Sequence, residues 1–196
     1  MNRRLVPIVA AAGISMIVIG FALPAIASIV AGGRQATEGL GLRGNVDMIL
    51  YDQSGNVKDE RHIDNLIVSA GVEGVASRIA PHDGSVNPTA PYNYIALGTS
   101  NTAVDASQTA LSAELTTGAN YARIQDGTAI YSTASGNKLI LSVTFGPGQA
   151  TGTLRESGIF NSATGGNMLA RQTFADIQKA AGDTLTVTWT ITLSPT

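Results

Sequence analysis

Few side chains in this sequence have the type and spacing that chemistry requires. The two histidines, His62 and His82, stand in separate segments. Neither has the i, i+4 partner that a zinc pair on a helix needs. Asp52, Ser54, Asn56 and Asp59 place oxygens as a calcium loop does, but the closing acidic ligand is missing at its required spacing, so the stretch reads as a turn. Gly98-Thr99-Ser100 and Gly146-Pro147-Gly148 lack the lysine of a phosphate loop. No G-x-S-x-G nucleophile elbow occurs. Arg155 and Glu156 adjoin on a predicted strand and therefore point to opposite faces. If Leu154 faces the core, Glu156 does too, and a buried carboxylate needs a cation, Arg123 or Arg171. With no second carboxylate or nucleophile fixed beside it, that pair reads as structural. The residue types thus assign no catalytic, cofactor-binding or metal-ligating position, and the expectation is a protein that is not an enzyme and holds no cofactor.

Composition points the same way. Of the 196 residues only 13% are charged and 5% aromatic, the formal net charge is -2, and glycines number 22. Near-neutral charge without a basic run argues against nucleic-acid binding. With no cysteine, disulfides and thiolate metal sites are excluded. Abundant Gly, Thr, Ser and Asn suit a β-rich exterior protein with many turns.

The element that organises the rest is Thr184–Leu193, TLTVTWTITL. Its odd positions are all apolar and its even positions all threonine, the period of a strand with one greasy and one hydroxyl face. Burying each apolar side chain is worth roughly 1.5–3 kcal/mol. Ordering each residue's backbone costs about 1–2 kcal/mol. The strand is therefore stable only inside a sheet that covers its greasy face.

The partners can be read in order. Asn45–Asp52 and Val57–Ile63 form a hairpin around Gly55. Ser69–Ala80 is a helix, capped by Ser69 and stopped by Pro81, whose stripe Val72, Val75, Ala76 and Ile79 closes one end of a sheet. Tyr92–Leu97 is a strand. Ser107–Leu115 holds a helical turn or two. Ala119–Ser132 is a strand broken near Asp126-Gly127, and Lys138–Phe145 alternates cleanly. Thr151–Asn161 changes phase between Leu154 and Ile159, which places a bulge at Gly158. Asn167–Phe174 follows, then a connector, Ala175–Gly182. About eight antiparallel strands with one or two short helices predict a single mainly-β domain, a β-sandwich or jelly-roll-like fold, over residues 45–196.

The N-terminus sets the compartment. Arg3 and Arg4 precede a run without charge from Leu5 to Gly33, longer than the ~20 residues that cross a bilayer. Pro24 and Ala25-Ile26-Ala27 supply a small-x-small site. Residues 1–31 therefore read as an export signal cleaved after Ala27, or as an uncleaved membrane anchor through residues 5–31. A hydrophobic helix thus precedes the domain, with residues 32–44 as a flexible arm or linker. Cleavage would free an N-terminal arm, Ser28–Gly41, able to extend a sheet through Ile29, Val30 and Leu40.

Three stretches together resemble a β-sandwich module of phage tail and fibre proteins, also present in exported archaeal proteins of unknown role. They are Asn65-Leu66-Ile67-Val68-Ser69-Ala70-Gly71; Tyr94-Ile95-Ala96-Leu97-Gly98-Thr99 with Thr109-Ala110-Leu111 and Glu114; and Arg155-Glu156-Ser157-Gly158-Ile159-Phe160 with Leu169-Ala170-Arg171, Lys179 and Gly182-Asp183-Thr184-Leu185. The resemblance spans residues 45–193 and implies a structural or receptor-contacting appendage without catalysis. The leader departs from that setting, since a tail protein assembled in the cytoplasm needs none. The expectation is an exported structural protein of a cell surface, filament or enveloped particle, whose partners are copies of itself. The alternative is a virion-fibre module that binds a glycan or receptor through Pro81–Pro91 and Thr99–Ser107, near Tyr92 and Tyr94.

Overall fold

The structure, a computed structural model, describes residues 39–79, 90–116, 119–132 and 136–195. The leader, the arm as far as residue 38, His82 and most of the loop 81–91 lie outside the described residues. Among the described residues, no helix is long and apolar enough to cross a membrane.

Two antiparallel five-stranded sheets pack face to face as a β-sandwich. The chain runs β1 (Leu40–Tyr51), β2 (Val57–Asp64), β3 (Leu66–Ile67), α1 (Ser69–Ile79), β4 (Tyr94–Gly98), β5 (Ile124–Gln125), β6 (Ile130–Ser132), β7 (Lys138–Phe145), β8 (Gly152–Phe160), β9 (Met168–Lys179) and β10 (Thr184–Pro195). The first sheet has the order β2-β1-β10-β7-β6 and the second β3-β9-β8-β4-β5. β10 is the central strand of the first sheet. Its Leu185, Val187, Trp189 and Ile191 are buried against the second sheet. Its threonines line the other face, where Thr188 and Thr186 meet Ser142 and Thr144 of β7 through their hydroxyls. Trp189 is fully buried, and its indole N–H donates to Ser157 Oγ of the facing sheet at 3.2 Å.

Several elements differ from the sequence expectation for definable reasons. β1 begins at Leu40, so residues 40–44 of the expected linker are strand, in register with Ile191–Pro195. β9 continues through the expected connector to Lys179. Phe174 and Ile177 are both buried although three residues apart, because the β8–β9 register shifts between Leu154 and Glu156. That irregularity and a second between Ile159 and Phe160 lie on either side of Gly158, and the bulge expected at Gly158 itself does not occur. Gly158 itself is regularly paired, with Ala96 and Arg171. A Cβ there would lie 3.0 Å from Leu111 Cδ2, so its glycine makes room for the covering segment. Ser107–Leu115 holds turns and one bridge rather than a helix, and a 3-10 turn occurs instead at Ala119–Tyr121.

The helix is turned away from its expected stripe. Val72 and Ile79 are exposed, and the buried positions are Gly71 and Gly74. A Cβ on Gly71 would stand 2.3 Å from the Leu169 carbonyl oxygen. The helix backbone thus lies almost directly on β9, a closeness only glycine permits. Of the predicted stripe, Val75 packs against the core.

Candidate functional site

At one end of the first sheet β1 and β10 outrun their neighbours. β1 and β10 stay paired out to Leu40 and Pro195, whereas β2 ends opposite Asn45 and β7 begins opposite Thr192. Beyond those points the ladders continue by one bond on each flank, from the Asn65 N–H to the Gly44 carbonyl and from the Leu193 N–H to the Asn137 carbonyl; past these, β1 and β10 form a two-stranded ribbon with no further ladder partner among the described residues. Leu40, Leu42 and Leu193 share its core-side face. Leu42 and Leu193 still pack against the core, while Leu40 is 54% exposed. The hydrophobic effect favours burying such a face, and at Leu40 it is left exposed.

Beneath the ribbon is an open cavity of about 430 Å³. Leu42, Leu139, Ile191 and Leu193 floor it from the first sheet, and Val75, Arg78, Tyr92 and the Asp126-Gly127 turn wall it. Its acidic group is committed. Asp126 Oδ1 accepts from the Thr128 N–H and hydroxyl at 2.7 and 2.8 Å, and Oδ2 from the Ser142 N–H at 2.7 Å. Tyr92 is buried, and burial pushes its phenol above the ordinary tyrosine value. Its hydroxyl lies against Gly74 without a hydrogen-bond partner. The cavity is therefore a greasy surface with few polar groups, built to take apolar side chains or an apolar ligand rather than to move protons.

The outer face of the second sheet carries a second cluster. Ser157 faces Trp189, so its neighbour Glu156 points outward. The irregularity at Arg155 reverses the phase from Leu154, and Glu156 does not share Leu154's face as the plain alternation predicts. It is nonetheless fully buried, with Arg171 as its partner, because residues 99–115 fold over it. Glu156 accepts from the N–H groups of Ser112 and Ala113 at 3.0 and 2.7 Å. Arg171 donates to the carbonyl oxygen of Thr102, to Gln108 Oε1 and to Ser112 Oγ. This arrangement clamps a covering segment whose Leu111 packs over Ala96, Phe160 and Met168. Both carboxylate oxygens of Glu156 are engaged by donors of the protein itself.

The remaining sequence candidates are dispersed. His62 pairs with Asp47 on the exposed face of the first sheet, which raises its pKa. Asp52 accepts from Asn56 and from the Ser54 N–H as a hairpin turn, and Asp59 is held by Arg61. No group of acidic residues and histidines among the described residues is arranged to hold a metal. Arg155 pairs with Asp176 across the sheet, and Arg123 with Glu114 while stacking 3.5 Å over the Phe160 ring. Tyr94 is partly buried, and neither it nor Tyr92 offers the exposed ring on which a sugar would stack. The loop Thr99–Ser107 belongs to the clamped cover. The open end escaped the sequence reading; its signal was the leucines at 40, 42 and 193, continuing the core phase of β1 and β10 past their neighbours. No protein-family model, curated protein or solved structure matches this chain.

Proposed function

We propose that this chain is an exported, non-enzymatic structural protein of a cell surface, extracellular filament or enveloped particle, and that copies assemble through β-strand contacts. The observation that carries the reading is the end of the ribbon of β1 and β10, where the β1 edge beyond Gly44 has no ladder partner among the described residues and Leu40 is exposed on the apolar face. Edges of this kind pair with other chains unless they are blunted. The outer edge strand, β2, is blunted: its sequence VKDERHID is mostly charged, and Asp59 and Arg61, opposite Leu50 and Met48, bond each other. Polymerisation is thereby directed away from the long edge and toward the ribbon.

Electron microscopy and light scattering of the exported chain test this. Filaments or lattices are expected, and Leu40→Glu should reduce the assembled fraction without moving the unfolding midpoint. Dispersed particles at every concentration would overturn the proposal.

A further inference from the structure

We infer that residues 99–113 form a lid that opens as one unit while both sheets stay folded, with the Glu156–Arg171 pair as its latch. The inference stands apart from the assembly reading. The ends of this segment meet, since the Thr99 N–H donates to the Ala113 carbonyl oxygen at 3.0 Å. A compact loop with adjacent ends can swing without stretching the chain that carries it. Its flanks are anchored in the body. Gly98 belongs to β4, Glu114 pairs with Arg123, and Leu115 packs against the main core.

The lid shares little of that core. Of residues 99–113, all described, Leu111 alone is buried. It joins Val68, Ala96, Phe160 and Met168 in a small cluster of its own, apart from the larger cluster between the sheets. Segments with few buried apolar contacts open at free energies well below that of global unfolding. The lid also carries hydrogen bonds that travel with it. Asp105 accepts from the Ser107 N–H and hydroxyl, the Asp105 N–H donates to Gln108 Oε1, and Gln108 Nε2 donates to the Ala103 carbonyl oxygen. Its bonds to the body converge chiefly on one pair. Glu156 accepts from the Ser112 and Ala113 N–H groups, and Arg171 donates to Thr102, Gln108 and Ser112. At the far side, the Ser69 N–H at the start of α1 donates to the Ala106 carbonyl oxygen. Opening returns water to two charges whose burial is costly. That hydration offsets part of the bonding lost, so the latch fixes the closed position and also lowers the cost of leaving it. The open form bares the charged pair beside Ala96, Phe160 and Met168, a surface hidden in the closed fold.

Native-state hydrogen exchange of the exported chain, read amide by amide by NMR in rising urea, tests this. The amides of Ser69, Ser112 and Ala113 report the lid. The Trp189 amide, in the central strand of the first sheet, reports global unfolding. After correction for intrinsic rates, the three lid amides should share one opening constant, about 100-fold or more above that of Trp189, with a shallower dependence on urea. Val187→Ala, in the main core, should raise the Trp189 constant about tenfold or more and leave the shared lid constant unchanged, because both the closed and the open form keep that core. Unequal constants at the three amides would mean separate local fraying and would overturn the lid. So would lid amides that open only together with Trp189, or a Val187→Ala effect of the same size at all four positions.

Discussion

Arg171 directs Nε and Nη2 at one oxygen of Glu156, at 3.0 and 2.7 Å, with both side chains wholly shielded from solvent. Burying two charges is costly, and only complete pairing offsets it. Arg171→Ala would leave the carboxylate buried and half-partnered, and should destabilise the fold by about 3–5 kcal/mol. Replacing both, as Glu156→Leu with Arg171→Met, should cost less than Arg171→Ala alone. Urea unfolding of the single and double variants beside the parent chain reads the difference, and a double variant as damaged as Arg171→Ala would contradict it.

Tyr92 and Gly74 should be energetically coupled. A Cβ on Gly74 would sit 1.8 Å from the Tyr92 hydroxyl oxygen. Gly74→Ala should therefore destabilise, although alanine favours a helix by about 1 kcal/mol. Tyr92→Phe removes a buried hydroxyl without a partner and should stabilise by roughly 1 kcal/mol. In the double variant, Tyr92→Phe should rescue much of the Gly74→Ala penalty, because the atom in the way is gone. A double-mutant cycle by thermal melting checks the coupling, and strict additivity would refute it.

Ser157 bridges the two sheets, accepting from the Trp189 indole and donating to the Ala96 carbonyl. Ser157→Ala should leave the indole N–H unpaired in the core, at a cost of about 1–3 kcal/mol. Trp189 is the sole tryptophan, so its fluorescence follows unfolding directly.

At acid pH the fold should weaken partly through Asp183. Its hydrogen bond from Lys58, then that from the Ala180 N–H, hold this carboxyl below the ordinary aspartate value. A carboxyl lowered on folding contributes in full above its unfolded value of about 3.9, and that contribution is lost as pH falls through the folded value. Asp183→Asn should flatten this acid limb. Lys58→Met should bring the folded value back toward the unfolded one and so shrink this acid limb, chiefly at its low-pH end. Unfolding midpoints measured from about pH 5 to pH 2 test both shifts.

The sandwich was legible because period-two alternation is strict where a strand is buried on one face, as in Lys138–Phe145 and Thr184–Leu193. It became illegible where one face was not enough. β8 is buried on both sides, by the first sheet and by the segment 99–115, so Glu156, Ser157 and Gly158 are all hidden and alternation carries no signal there. The Glu156–Arg171 pair was still within reach, since a buried carboxylate requires a cation and few were available. The helix misled for a different reason. Valines at helical spacing promise a packed stripe, but its glycines admit the backbone closer than any side chain does. The open end depends on which strands stop first, a property of the whole topology rather than of any one stretch.

The pairing of β1 with β10 has a consequence for how the molecule comes into being. The longest ladder joins the earliest and the latest strands of the described domain, and it lies in the middle of the first sheet. Joining such distant stretches carries the full loop-closure penalty before any contact rewards it. The Trp189 side of the core cannot exist until the final strand has been delivered. A chain still lacking its last strand would thus stay pliant, and the sandwich would lock only once that strand had slotted between β1 and β7.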